Sequence, residues 1–188
     1  MMDTWWVSDA GLEEHDVGQL DALLQRDDGF VWVDVPEFDD AAEAVLRGVF
    51  HAHPMVVKAC RDRNFVPSVH GYEDHTFVIV HTPLAGEGGH VHMLELDQLV
   101  GSRYLVTVHG PRNPAVSLLD ATEETRTVRE RIEAGRFRPR SPSELSYAIG
   151  SAVARRQSAA VKSGASRPPA REMRVMGSDF HQPEELLF

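Results

Sequence analysis

Three apolar runs, HTFVIVHT (75–82), HVHMLELDQLV (90–100) and RYLVTVH (103–109), crowd into the middle of the chain. They constrain its fold more than any other feature. Together they form a β-rich section, and AGEGG at 85–89 supplies glycines that take the positive φ values a hairpin turn requires. The middle of the chain is therefore predicted to be a largely antiparallel sheet, with NFVPSV at 64–69 as a further strand.

The flanks are helical in pattern. Leu20, Leu23 and Leu24 recur at helical spacing and are followed by DDG, so residues 16–26 predict a short helix ending before Gly29. FVWVDV at 30–35 is a buried strand. Asp40 and Glu43 stand in capping-box relation ahead of Ala41, Ala44, Val45, Gly48 and Val49, which predicts a helix over 40–50. His53-Pro54 interrupts it, because the residue before proline avoids helical geometry while proline suits the first turn of a new helix, here Met55 to Asp62. Residues 114–133 carry an uneven apolar stripe with Arg126/Glu130 and Arg129/Glu133 as charge pairs, the pattern of a partly exposed helix. SPSEL then sets Ser141 as N-cap, Pro142 at the first helical position and Glu144 to complete the box. The helix it opens has Leu145, Ala148, Ile149, Ala152 and Val153 as its inner face, and Gly164 or Pro168-Pro169 is expected to end or interrupt it. SGASRPPAR at 163–171 has the composition of a link, and QPEELL at 182–187 starts one more helix. This order of elements predicts a mixed sheet covered by helices on both faces.

With 188 residues, 42% of them hydrophobic, the chain can bury one substantial core. Its formal charge of −10 repels nucleic acid and anionic membrane surfaces, which disfavours nucleic acid as a partner. The single cysteine, Cys60, excludes an internal disulfide and a cysteine-based zinc cluster, and it is expected to be a small buried hydrophobe in a reducing compartment. No stretch approaches the roughly 18–20 apolar residues of a membrane helix, and the N-terminus lacks the pattern of a signal peptide. The chain as given is expected to be soluble and cytoplasmic.

Ten histidines raise the question of a metal. His90 and His92, two apart on a strand, share a face, but a hydrolase motif of the HxHxDH kind fails because Leu94 and Glu95 stand where an acid and a histidine are needed. Polar residues at a hairpin mouth are the plainer reading of the pair. HGYEDH at 70–75 sets Glu73 and Asp74 between two histidines, a composition that suits a divalent cation or, more commonly, a polar turn. His81 and His109 read as satisfied core or edge histidines. There is no G-x-S-x-G elbow, P-loop or G-x-G-x-x-G, and Cys60 has no signature of an activated thiol. TWWV at 4–7 reads as an anchor of the N-terminus or an interface patch. None of this predicts an enzyme.

The ordered set FVWVDV, FHAHPMVV, YEDHTFVIVH, LELDQLVGSRYLVTVH, SELSYAIGSAVARR and QPEELL, over residues 29–187, resembles the cytoplasmic domain of the CorA family of magnesium transporters. The resemblance implies an α/β/α sandwich over 1–140, followed at 141–188 by the start of a stalk helix. It also implies two membrane helices, absent here, through which the domain would sit on the cytoplasmic side of the cell membrane as part of a homopentamer. In magnesium-regulated members the turn after the His-Pro break carries adjacent acids that help to hold a divalent cation between subunits. Lys58 and Ala59 stand at those positions here, and a lysine ammonium opposes Mg²⁺ binding. The function implied is a sensing or gating domain of a Mg²⁺/Co²⁺ transporter. A zinc-handling branch of the same family, with Zn²⁺ in place of Mg²⁺, is the first alternative. A stand-alone interaction module with this fold is the second, and a histidine-dependent metallohydrolase lacks convergent ligands.

Overall fold

The computed structural model describes residues 2–165. One seven-stranded sheet organises them, in the order β2-β1-β3-β7-β6-β5-β4. Its strands are β1 (Asp3–Ser8), β2 (Gly11–His15), β3 (Gly29–Val35), β4 (Ser68–Gly71), β5 (His75–Ala85), β6 (Val91–Gly101) and β7 (Tyr104–His109). All neighbours run antiparallel except β3 and β7, whose pairing runs from Val31↔Tyr104 to Val35↔Val108 in parallel. The sheet is therefore mixed and largely antiparallel, as expected. The parallel pair follows from the connection: α2 (Asp40–Gly48) and α3 (Pro54–Arg61) lie between β3 and the meander, which gives the chain length to cross over.

Helices cover both faces. On one, α1 (Leu20–Leu23), α2 and α3 pack against Trp6, Val31, Val33, Phe77, Leu99 and Val106. On the other, α5 (Glu123–Glu133) and α6 (Pro142–Ala165) pack against Trp5, Val7, Trp32, Leu96 and Leu105. Period-two alternation divides each strand between the two layers, and each fully buried Leu, Val or Phe contributes about 1.5–3 kcal/mol.

The N-terminus differs from the sequence reading. TWWV anchors the N-terminus not as an exposed interface patch but as the middle of β1, an interior strand hydrogen-bonded to both β2 and β3, which the sequence does not announce. Trp5 turns to one layer, where its ring centroid lies 4.8 Å from that of Trp32, and Trp6 turns to the other, under the Arg26 guanidinium. The run is short and apolar on both sides, so it carries no alternation to announce a strand.

Local corrections have physical causes. Asp39, not Asp40, caps α2, its carboxylate accepting from Ala42 N at 2.8 Å. Residues 64–67 do not pair, and β4 begins only at Ser68, because Pro67 has no N–H to give a ladder. The helix expected over 114–133 is two helices, α4 (Leu118–Ala121) and α5, which meet at Thr122. The Arg126–Glu130 and Arg129–Glu133 pairs form at 2.9 and 3.4 Å. His53 caps α3 with Pro54 at its first turn, the break that the sequence predicts. At α6 the Ser141 hydroxyl accepts from Glu144 N at 3.2 Å, but the Glu144 carboxylate reaches Arg140 N rather than the cap residue. The five predicted inner residues of α6 are all buried, and Gly164 does not stop the helix, which runs through it to Ala165. Pro168-Pro169, most of the proposed link over 163–171 and QPEELL lie outside the described residues. A tight approach fixes the β6–β7 turn, since a Cβ on Gly101 would lie 2.3 Å from the Tyr104 ring.

Candidate functional site

Each face of the sheet buries a set of polar side chains at the end where β5, β6 and β7 meet the loops. On the α3 face, alternation along β6 points Glu95 and Asp97 inward beside Leu99. Glu95 accepts from the Asn64 backbone N and the Asn64 amide Nδ2, both at 2.7 Å, and so straps the segment after α3 to the sheet. His81 Nε2 donates to Asn64 O at 2.9 Å and lies 3.9 Å from Glu95. Asp97 is 0% exposed, and neither of its oxygens has a hydrogen-bond partner of ordinary geometry. Burial, with the Glu95 charge adding to it, pushes its carboxyl up to about 9, so at neutral pH it is a neutral acid. Burial first, and then Asp97 and Glu95, likewise hold the Cys60 thiol well above its ordinary value. Cys60 is the buried hydrophobe expected, and not a nucleophile.

On the opposite face, Asp34 of β3 is the centre of a satisfied network. Thr125 donates to its Oδ2 at 3.1 Å, Thr107 donates to its Oδ1, and His109 Nε2 lies 3.1 Å from the same oxygen. Trp32 Nε1 donates to the Thr107 hydroxyl at 3.1 Å, and His109 Nδ1 donates to Ala121 O at 2.9 Å. Burial opposes a charge on His109, but the Asp34 carboxylate outweighs it and raises the imidazole above its usual range.

The residues singled out as metal candidates do not converge. His90 and His92 do meet, edge to face with ring centroids 4.7 Å apart, and His92 Nδ1 faces Asn113 Nδ2 at 3.2 Å. With His81, Phe65 and Met93 they line an open groove of about 340 Å³. Glu73 and Asp74 occupy the β4–β5 turn at the far end of the same hairpin, where Asp74 accepts from His75 Nδ1 at 2.6 Å. Ten residues of β5 separate the two ends, roughly 33 Å at strand spacing, so the two pairs cannot share an ion. Among the described residues no three histidine, cysteine or acidic side chains are grouped to hold a metal. Lys58 is exposed and paired with Asp62, one turn on in sequence, and Ala59 packs against the core beneath α3.

The sequence reading missed Asp34 and Asp97 and met Glu95 only as a failed ligand. The signal was present: VDV and LELDQL each place an acid inside a run that is apolar on both sides, where an unpaired charge is too costly to keep.

Comparisons with known proteins agree with this architecture. The family model described as "CorA-like Mg2+ transporter protein" matches residues 27–163. YfjQ of Bacillus subtilis (strain 168), named for metal ion transport, is 27% identical over 131 residues, which are 69% of this chain and 37% of that protein. The complete structure of the CorA magnesium transporter from Methanocaldococcus jannaschii superposes with a TM-score of 0.66 at 16% identity, over 94% of this chain and 51% of that one. The ZntB cytoplasmic domain from Vibrio parahaemolyticus RIMD 2210633 superposes with a TM-score of 0.61 at 13% identity, over 86% of this chain and 60% of that one. At such identities the structural matches establish the fold, and the chain spans only part of the length of each of these proteins.

Proposed function

The chain belongs to the family of CorA-like Mg2+ transporter proteins, and from that membership we propose that it is the part of a divalent-cation transporter that senses or gates from the cytoplasmic side. The observation that carries this reading is the span of the family match. It takes in the crossover helices, the meander and most of α6, and so covers both layers of the sandwich. No helix among the described residues is long and apolar enough to cross a membrane, so conduction is assigned to a further part of the protein. The role is one of binding and movement rather than catalysis.

The working form is a homo-oligomer, a pentamer on the family pattern. In support, α6 leaves Tyr147 78% and Val161 71% exposed, apolar surface that another copy would cover. The regulated ion is Mg²⁺ or Co²⁺, bound away from the α3 turn, because Lys58 brings a positive charge where a hard cation needs carboxylate oxygens. A second reading is favoured by one observation, the meeting of His90 and His92 at the open groove. Imidazole suits Zn²⁺ far better than Mg²⁺, and under that reading the protein handles zinc.

Calorimetric titration of the chain with Mg²⁺, Co²⁺ and Zn²⁺, with its mass followed by light scattering, tests both. Association of the wild-type chain driven by Mg²⁺ or Co²⁺ supports the first reading. Tight Zn²⁺ binding lost in His90→Ala and His92→Ala, with no response to Mg²⁺ or Co²⁺, supports the second. No response to any of the three ions overturns both.

A further inference from the structure

His109 is 3% exposed, and both of its ring nitrogens face oxygen acceptors, Ala121 O at 2.9 Å and Asp34 Oδ1 at 3.1 Å. An imidazole meets two acceptors only when both nitrogens carry hydrogen, which is the charged form. The two acceptors lie on different elements. Asp34 is fixed in β3 at the centre of the sheet, whereas Ala121 ends α4, a single turn with Leu118 44% and Leu119 68% exposed. One residue before it, Asp120 O accepts from Arg156 Nη1 of α6 at 3.1 Å. Arg156 also pairs with Glu124 at 2.9 Å and Glu123 at 3.1 Å at the start of α5.

We propose that His109 is a proton-operated latch, its imidazolium clamping the α4–α5 junction to the sheet and releasing it when the proton leaves. A neutral ring can serve one acceptor only. A lone pair on Nε2 would face Asp34 Oδ1 at 3.1 Å and be repelled, with only the Thr125 hydroxyl, 3.3 Å away, to offset it, so the neutral ring keeps its hydrogen on Nε2 and the acceptor given up is Ala121 O, on the short helix that water already reaches. Because Asp120 and Glu124 hold Arg156, the loosened junction also slackens the tie to α6.

The groups around His109 set the direction. Asp34 from β3 and Glu124 from α5 favour its charge. Asp3 of β1 lies close enough to Asp34 to interact with it, and Arg126 and Arg129 of α5 line the cleft beside Asp34, the one strengthening and the others weakening the local negative field. Glu95 of β6 accepts through its backbone O from Gly110 N, next to His109, and its side chain lines the same small cavity as the ring. Arg156 of α6 is neutralised by Glu123 and Glu124. With the folded value raised above the ordinary 6.5, the latch is closed below that pH and opens as pH climbs through the folded value.

The latch is independent of which ion the protein handles. Its test is NMR titration of the histidine rings in the full chain together with amide hydrogen exchange from about pH 6 to 9, corrected for the intrinsic base-catalysed rate. The expected result is a His109 midpoint above 6.5 and protection at residues 118–125 that falls about ten-fold per pH unit between 6.5 and that midpoint and levels off above it. Amides of β3 and β7 report global stability and should fall less. A His109→Gln variant should show weak protection at 118–125 at every pH. A His109 midpoint at or below 6.5, or wild-type protection at 118–125 that tracks β3 and β7 throughout, overturns the proposal. The wild-type titration decides even where the variant does not fold.

Discussion

The two faces of the sheet bury carboxyl groups by opposite means. On the α5–α6 face, Asp34 is 5% exposed and sits in company, with two hydroxyls and the His109 ring turned to it. On the α3 face, Asp97 is fully buried with no partner of ordinary geometry and remains inside by holding its proton. An acid that takes its donors from several elements couples those elements together, whereas an acid that holds its proton in place of such donors makes fewer ties. The first arrangement therefore ties β3, β7, α4 and α5 into one unit, whereas on the second face Asp97 adds no such tie and α3 is held by apolar contact and by Asn64, which joins Ala59 O to Glu95.

The largest test of that contrast is Asp34→Ala. It strands the His109 imidazolium and removes the acceptor of Thr107 and Thr125 together, and should cost about 3–5 kcal/mol in chemical denaturation. A loss under about 1 kcal/mol would mean that the network is decoration and that the two faces do not differ.

The next test has the opposite sign. The folded Asp97 carboxyl titrates near 9 and the ordinary value is 3.8, so across that window the native state holds a proton that the unfolded chain has released. Stability therefore falls as pH rises through it. Asp97→Asn cannot titrate and should be the more stable protein near pH 8, by about 1–3 kcal/mol, with the advantage vanishing below pH 4. Urea melts of both proteins at the two ends of the range check it, and a variant less stable at pH 8 breaks the account of a neutral acid.

How much of this was legible in the sequence follows from what each feature depends on. The meander, the His53-Pro54 break, the Ser141 cap of α6 and the helix's five inner residues depend on local pattern and turn chemistry and are legible in the sequence, whereas the reciprocal bond from Glu144 is not formed. Strand β1 is not legible, because Trp5 and Trp6 are both buried, one in each layer, and a run apolar on both faces has no period. The Asp34–His109 network joins positions 75 residues apart, and no local signal states which acid an inward histidine will meet. Glu73, Asp74, His90 and His92 show the converse. Their composition suggested a metal, but strand length holds the two pairs at opposite ends of one hairpin.

The smallest expected effect falls at Lys58, and it sharpens the comparison because this residue lies on α3 above the neutral acid yet belongs to neither buried set. Its ammonium pairs with Asp62 four residues on, both side chains more than half exposed. Solvent screens such a pair, so Lys58→Ala should move stability by less than about 0.5 kcal/mol. Removing the positive charge should at the same time make the α3 turn more hospitable to a divalent cation, because Asp62 is then left without its partner. Melting curves with and without 10 mM Mg²⁺ separate the two effects. If the variant is unchanged in stability but gains Mg²⁺-dependent protection, the lysine is what keeps a hard cation off this turn. Lack of any Mg²⁺ response means that a lone carboxylate there is too few oxygens to displace the ion's water, and the absence of a second acid at Ala59 is then the deciding feature.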